Sequence, residues 1–278
     1  MTMITFSSCF YIMKSKFNPN TYIKWMNQFI SIVNNFNLVI YTDEKSVKYI
    51  NTRENPKIKI IMKPWDEFYN YRYKDHWIIN HKNNIFLNEK SNFNTDWQIN
   101  MLWSEKVWFV NETANKKYFD TEFYGWCDIG YFRNRHEDLS TQYLSEWPNA
   151  STILYMNKDK IYYGCINNDD RFMDYLYHLI NQKNQKGLPV KPIPPQQNTV
   201  AGGFFIIHKG KVDWWAITYN EKLKLYLENN YLVKDDQIIL LDCIFSEQNH
   251  FFLVRENNEN NENNEKYDNW FMFQRILL

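Results

Sequence analysis

Short apolar runs alternate with amphipathic segments along the chain. Runs rich in β-branched and aromatic residues predict buried strands at Ile4–Ile12, Leu38–Thr42, Ile58–Met62, Glu122–Cys127, Thr152–Met156 and Ala201–Ile207. Apolar residues at helical spacing predict amphipathic helices between them, at Pro19–Asn34, Thr95–Val110, Phe172–Ile180, Val212–Leu227 and Ile238–Phe245. Buried strands separated by helices are typical of an α/β (Rossmann-like) fold with a mixed, mostly parallel sheet. We expect a single domain spanning residues 1–278.

Other segments lack this pattern. Residues 65–93 predict short helices and loops at the sheet edge. Residues 182–198 contain four prolines and predict a long loop or a lid that orders over a ligand. Residues 256–269 begin with a repeated Asn/Glu tract and predict a low-complexity loop. We expect the apolar residues 270–278 to pack back on the body of the domain.

Composition narrows the range of functions. With 44% hydrophobic and 23% charged residues, the chain is globular. Thirty-two basic residues balance 32 acidic ones, whereas proteins that neutralise many nucleic-acid phosphates carry a basic excess. We therefore do not expect the protein to bind nucleic acid. Eleven Trp and 20 Tyr supply flat amphipathic surfaces that suit sugars and bases, although most such rings in proteins belong to the core.

The cysteines and the apolar runs indicate the cellular compartment of the protein. No CxxC pair occurs among Cys9, Cys127, Cys165 and Cys243, which argues against structural zinc or a disulfide framework and fits a reducing environment. No apolar run approaches the roughly 20 residues that a membrane-spanning helix needs, and no secretory signal opens the chain. We expect a cytoplasmic protein without a transmembrane segment.

Polar residues at strand ends are candidates for ligand binding, because open α/β sheets bind ligands at the carboxyl ends of their strands. Ser8 lies near the end of the first predicted strand, and Asp43 follows the second. Asp128 follows a central strand, and Gly130 allows a ligand close to the backbone. Its carboxylate could hold Mg²⁺ or Mn²⁺ against phosphate oxygens. The alternative is a glycine-containing turn with aspartate as turn former.

Two lysines are further candidates. Lys106 falls on the apolar stripe of its predicted helix, where an uncompensated ammonium is costly. Three alternatives are open: the stem of Lys106 extends to solvent, its ammonium pairs with a carboxylate, or its ammonium contacts an anionic ligand. Lys16 precedes the first helix and could contact phosphate, although loop lysines are usually exposed.

Three more elements have both a chemical and a structural interpretation. Gly202-Gly203 either lets a ligand approach a strand or marks a bulge. Asp235-Asp236-Gln237 either caps a helix or places a carboxylate on a substrate hydroxyl. His250 is either a metal ligand or a structural side chain. The chain contains no GxSxG, Walker A, HExxH or GxGxxG motif, so the enzyme classes that use them lose motif support.

In these motifs the chain resembles the HtrL/YibB-like (WlaTC/HtrL) glycosyltransferase group, which is GT-A-like. The most specific element is Phe123-Tyr-Gly-Trp-Cys-Asp-Ile-Gly130, with Lys106 in the helix before it. The other elements follow in order along most of the chain: Thr5-Phe-Ser-Ser-Cys-Phe-Tyr11, Ser15-Lys-Phe17, Tyr22-Ile-Lys-Trp25, Val39-Ile-Tyr-Thr-Asp43, Ala201-Gly-Gly-Phe-Phe205 and Asp235-Asp-Gln237.

The resemblance implies sugar transfer from a nucleotide-sugar donor, such as a UDP- or GDP-sugar, to a glycan or another hydroxyl acceptor. A non-catalytic protein that binds glycans or nucleotide sugars is the alternative. The Asp128 element would be the counterpart of the DxD metal motif but has one carboxylate, so a Mn²⁺ or Mg²⁺ ion either binds weakly, recruits His250 or another ligand, or is dispensable. We expect Asp236 to act as the base and Asp235 to cap the helix. The predicted donor-binding residues are Ser8, Cys9, Phe10, Lys16, Asp43, Lys106, Asp128, Gly130, Gly202, Gly203 and Gln237.

Overall fold

A seven-stranded sheet forms the centre of the protein. The computed structural model describes residues 3–135, 138–256 and 267–278. The strands are β1 (Ile4–Phe10), β2 (Asn37–Thr42), β3 (Ile58–Met62), β4 (Phe123–Cys127), β5 (Ile161–Cys165), β6 (Val200–His208) and β7 (Phe251–Val254). They are ordered β3-β2-β1-β4-β6-β5-β7, and only β6 runs antiparallel to its neighbours. The predicted α/β fold with a mixed, mostly parallel sheet flanked by helices is confirmed.

Both faces of the sheet are covered, which explains the continuous apolar runs of its strands. Side chains alternate between faces along a strand. In β2, Val39 and Tyr41 pack in the core on one face, whereas Leu38 and Ile40 pack in the core on the other. The described α-helices are α1 (Pro19–Ser31), α2 (Lys74–Asn83), α3 (Gln98–Asn115), α4 (Ala150–Leu154), α5 (Asp170–Asn181), α6 (Val212–Glu228), α7 (Asp236–Ser246) and α8 (Phe273–Ile276).

Capping explains one correct and one wrong prediction. The side chain of Asn18 accepts a hydrogen bond from the Thr21 backbone at 2.9 Å, and α1 begins at the next residue, Pro19, as predicted. The strand predicted over residues 152–156 is wrong. There, Asn149 accepts from the Ser151 backbone at 2.9 Å and starts the short helix α4, so the cap outweighs the β-branched residues. The sequence analysis also missed β5.

The segments without a pattern lie at the periphery. Residues 182–198 form turns, with Leu188 and Ile193 buried in the core beside α5 and α7. Most of the predicted low-complexity loop, residues 257–266, lies outside the described residues. The C-terminal Phe271, Met272 and Phe273 are buried in the core that α1 covers. Within the described chain, no helix has the length and apolar character needed to cross a bilayer.

The directions of the strands define where a site can form. The carboxyl ends of β1, β2 and β4 meet at one edge of the sheet. Since β6 is antiparallel to β4, its beginning, with Gly202 and Gly203, reaches the same edge. Helix α7 contacts β6, and its first turn also lies there.

Candidate functional site

A cavity of about 390 Å³ opens at this edge of the sheet. It collects eleven residues that the sequence analysis singled out: Cys9, Phe10, Lys16, Lys106, Asp128, Gly130, Gly202, Gly203, Asp235, Asp236 and Gln237. Its remaining wall is largely aromatic, with Tyr11, Phe17, Tyr22, Trp103, Trp126, Tyr131, Trp270 and Phe271. No residue from 182–198 lines it.

Asp128 is held at the cavity from both its backbone and its side chain. Its backbone N–H donates to the Gly203 carbonyl at 2.9 Å, which continues the pairing of β4 with β6. Oδ1 accepts from Trp126 Nε1 at 2.6 Å and lies 3.1 Å from Lys106 Nζ. The side chain remains 40% exposed, so the carboxylate faces the cavity. Asp128 also forms the predicted turn, because its carbonyl accepts from the Tyr131 N–H at 2.9 Å.

The Lys106 ammonium meets carboxylates, one of the three alternatives left open by the sequence. Nζ lies 3.1 Å from Asp128 and 3.0 Å from Asp236, and it donates to the Gly202 carbonyl at 2.9 Å. Burial alone would lower its pKa, but the two carboxylates hold the pKa of Lys106 above its usual value. Because its ammonium lies between the two carboxylates, Lys106 holds Asp128 and Asp236 in position at the cavity.

The start of α7 presents three oxygens without hydrogen-bond partners in the described structure. They are Oδ1 of Asp235, Oδ2 of Asp236 and Oε1 of Gln237, all buried atoms. Asp236 Oδ2 lies near Lys106 Nζ but forms no well-aligned hydrogen bond with it. Burial raises the pKa of Asp236 to about 6, with Lys106 opposing the shift and Asp235 adding to it. Such oxygens are acceptors and suit the hydroxyl groups of a ligand.

Asp235 does not have its predicted role as the cap of α7. It occupies the N-cap position of α7, with φ −156° and ψ −179°, but its side chain accepts no hydrogen bond from the helix backbone. Instead, Oδ2 pairs with Lys234 Nζ at 3.1 Å. The ion pair with Lys234 turns this carboxylate away from the helix N–H groups, so capping is not its function here.

Gly202 and Gly203 are required by the two carboxylates. A Cβ on Gly202 would lie 2.7 Å from Asp236 Oδ2, and one on Gly203 would lie 3.1 Å from Asp128 Oδ2. The bulge interpretation also applies, because the register between β5 and β6 shifts beside these residues. By contrast, a Cβ on Gly130 would lie 2.7 Å from the Trp25 ring. Gly130 lines the cavity, but this close approach is to a core side chain.

Two cations face the cavity without a carboxylate partner among the described residues. Lys16 Nζ lies 4.8 Å from the centroid of the Trp103 ring. Arg133 donates from Nε to the Gly130 carbonyl at 2.8 Å, and its guanidinium lies 4.3 Å from the centroid of the Trp25 ring. Burial lowers the pKa of both groups. No sequence pattern singled out Arg133, although it lies three residues after Gly130 in the same strand-end segment.

Three predicted residues lie outside the cavity. Ser8 is fully buried within β1, on the face opposite Cys9. Asp43 does lie at the functional edge, but its Oδ1 accepts from the Ser46 N–H at 2.8 Å and closes a turn. The contact of Asp43 supports a structural role, whereas the buried Oγ of Ser8 has no hydrogen-bond partner in the described structure.

The predicted metal ligand His250 also lies away from the cavity. It directly precedes β7, which runs in the same direction as β4, so it lies at the amino edge of the sheet. A five-residue strand, about 16 Å long, separates that edge from Asp128. His250 Nδ1 instead lies 2.9 Å from Lys211 Nζ, and its ring packs 4.1 Å from that of Trp214. Asp128 and His250 therefore cannot share an ion.

The residues at the cavity offer no preformed site for a divalent cation. The described chain contains no cluster of three or more His, Cys, Asp or Glu side chains that could hold a metal. Asp128 Oδ1 already accepts from an indole and faces an ammonium, and Asp235 and Asp236 are each paired with a lysine. A Mg²⁺ or Mn²⁺ ion placed here would compete with these side-chain cations for the same oxygens.

Comparisons with known proteins show little similarity in sequence. No protein-family model matches the chain, and no curated protein sequence does. Among solved structures, the apo form of mouse xyloside xylosyltransferase 1 matches it with a TM-score of 0.42 and 10% sequence identity. The match covers 90% of this chain and 85% of that chain.

Proposed function

We propose that the protein is a glycosyltransferase that moves a sugar from a nucleotide-sugar donor to a hydroxyl acceptor, within the HtrL/YibB-like group. The observation that carries the proposal is the cavity in which Lys106 links Asp128 and Asp236 beside Gly202 and Gly203. These residues come from four separate elements of the group's motif pattern. Aromatic walls supply stacking surfaces for a base or a sugar, and unpaired oxygens at the start of α7 supply acceptors for hydroxyls.

In this proposal Asp236 is the general base. The acceptor oxygen forms a bond to the anomeric carbon, the bond from that carbon to the diphosphate breaks, and the hydroxyl proton passes to Asp236. A nucleoside diphosphate leaves. A carboxylate with a pKa of about 6 suits this step, because general bases work best when their pKa lies near the operating pH. Lys106 keeps Asp236 ionised against the effect of burial.

A panel of UDP- and GDP-sugars tests the proposal. Purified protein is incubated with each donor, with and without Mn²⁺, and products of hydrolysis and transfer are separated by mass spectrometry. Turnover of at least one donor is the expected result. Tight calorimetric binding of a donor without any product would support the alternative, a non-catalytic nucleotide-sugar-binding protein. Absence of both binding and turnover across the panel would overturn the proposal.

A pair of isosteric substitutions tests the base. Asp236→Asn is expected to reduce turnover about 10²- to 10⁴-fold, the usual contribution of a general base, with little change in donor affinity. Asp235→Asn is the matched control, because it alters the neighbouring carboxylate without touching the Lys106 pair. Equal small effects in both variants would remove the base role from Asp236.

A further inference from the structure

We propose that Lys16 and Arg133 together hold the diphosphate of the donor, so that the protein binds nucleoside diphosphates without a divalent cation. This inference rests on the proposed function and assigns Arg133, which the sequence patterns did not single out.

Lys16 and Arg133 are cations of the cavity wall that have no carboxylate partner among the described residues. Asp128, Asp235 and Asp236 line the cavity, and Lys106 and Lys234 pair with them. Asp268 also lines the cavity and pairs with Arg135, which Asp138 shares. Because each of these carboxylates already has a basic partner, Lys16 and Arg133 are available to an anionic diphosphate.

Lys16 and Arg133 also have free donors. Aromatic rings, rather than carboxylates, contact their charged groups: Trp103 and Phe93 for Lys16, and Trp25 and Phe271 for Arg133. Arg133 uses Nε for the Gly130 carbonyl, and no protein hydrogen bond engages its two terminal nitrogens in the described structure. Those nitrogens form a planar fork that matches phosphate oxygens. Cations held by aromatic faces are kept in place and remain available to an anion.

The two cations belong to different parts of the fold. Lys16 lies in the segment between β1 and α1, and Arg133 lies in the segment after β4. Asp235 and Asp236 are the carboxylates whose charge acts on Lys16, whereas Asp128 and Asp138 act on Arg133. Strands β1 and β4 are neighbours in the sheet, so both segments leave the same edge side by side. A diphosphate at this edge would be contacted from two sides.

Calorimetry with UDP, GDP and inorganic pyrophosphate tests the inference in EDTA and in excess Mn²⁺. We expect at least one of these probes to bind in EDTA, with an affinity within about threefold of that in Mn²⁺. Lys16→Gln and Arg133→Gln should each weaken binding about 10- to 100-fold, as expected for losing a charge-assisted contact. Arg133→Lys should fall between the parent and Arg133→Gln, because it keeps the charge without the fork.

Matched controls come from elsewhere in the chain. Arg72 also stacks on a tyrosine ring, Tyr69, and donates from Nε to a carbonyl, and Lys59 lies 4.9 Å from the centroid of the Tyr118 ring. Neither lines the cavity, so Arg72→Gln and Lys59→Gln should bind like the parent. Thermal melting checks that every variant is folded, and Arg133→Lys and Lys16→Gln decide the matter if Arg133→Gln does not fold.

The outcomes separate this inference from the proposed function. Binding of the probes only in Mn²⁺, unchanged affinity in the Lys16 and Arg133 variants, or no binding of any probe would overturn the inference. Sugar transfer that requires Mn²⁺ would overturn the inference but would support the proposed glycosyltransferase function. Metal-free binding of a nucleoside diphosphate without transfer from any donor would support the inference and count against the enzyme.

Discussion

Helix α7 carries two buried aspartates that differ in how completely they are paired. Asp242, in the middle of the helix, has an ion pair with Lys183 at 2.6 Å and another with Lys222 at 2.9 Å. It also accepts from Tyr226 at 2.7 Å and from Ser246 at 2.9 Å. Asp236, at the start of the helix, has one ion pair, with a lysine that it shares with Asp128.

The pKa shifts of the two aspartates follow from this difference. Burial acts to raise the pKa of Asp242, but Lys222 and Lys183 hold it below its ordinary value. For Asp236 burial prevails, and the pKa is raised to about 6. A fully paired carboxylate stabilises the fold around it, whereas an incompletely paired one at a cavity has capacity left for a ligand. Residue type and depth are the same, so the number of partners distinguishes a structural group from a candidate catalytic one.

The largest expected effect is on stability at the fully paired site. Asp242→Asn should lower the free energy of unfolding by about 3–5 kcal/mol, because two lysines would lose their shared counter-charge in a buried setting. Urea denaturation at pH 7 measures it. Asp236→Asn is the matched comparison on the same helix and should lose less than about 1 kcal/mol, since Lys106 keeps Asp128 as a partner. Equal losses in the two variants would contradict the distinction.

The dependence of stability on pH should have opposite signs at the two sites. The pKa of Asp236 is raised from 3.8 to about 6, so its favourable contribution is complete below pH 3.8 and is lost as the pH rises through 6. Between pH 4 and pH 7 the parent should lose about 2 kcal/mol relative to Asp236→Asn. The lowered pKa of Asp242 makes its contribution present above pH 3.8 and lost below it.

Urea denaturation of the parent and both variants at several pH values between 4 and 7 measures these differences. The gap between the parent and Asp242→Asn should stay nearly constant over that range, because Asp242 is ionised throughout it. A gap between the parent and Asp236→Asn that is equally constant would show that Asp236 keeps an ordinary pKa.

Local sequence signals were enough to identify residues of the cavity around Asp236. Asp128 was found because a carboxylate directly follows a buried strand, and Lys106 because an ammonium falls on an apolar helical stripe. Each signal lies within a few residues of the group it identifies. The α/β fold was predicted for the same reason, since strand and helix periods are local properties.

What the sequence did not reveal depends on tertiary placement. His250 was proposed as a ligand of the same metal as Asp128, but the direction of β7 puts it at the opposite edge of the sheet. Arg133 was missed because its setting depends on Trp25 and Phe271, which are distant in sequence. Asp242 was not singled out, because its lysine partners lie on other segments of the chain. Such contacts leave no spacing pattern.

A moderate effect on stability that is specific to the cavity comes from adding a methyl group to Gly202. A Cβ there would lie 2.7 Å and 3.0 Å from the two carboxylate oxygens of Asp236, so Gly202→Ala must push that carboxylate away from Lys106. We expect a loss of about 1–3 kcal/mol in unfolding free energy, as for other overpacked sites, together with a clear loss of turnover in the donor assay.

Gly164→Ala is the matched control for this substitution, because Gly164 is also a strand glycine in the same sheet. Its added Cβ would meet the Met272 sulfur at 3.4 Å, an ordinary contact with a flexible side chain. That variant should lose less than about 1 kcal/mol and keep full turnover. If both variants keep full turnover, the position of the Asp236 carboxylate does not limit the reaction. The ion pair between Lys106 and Asp236 would then stabilise the start of α7 in the same way as the cluster around Asp242 stabilises its middle.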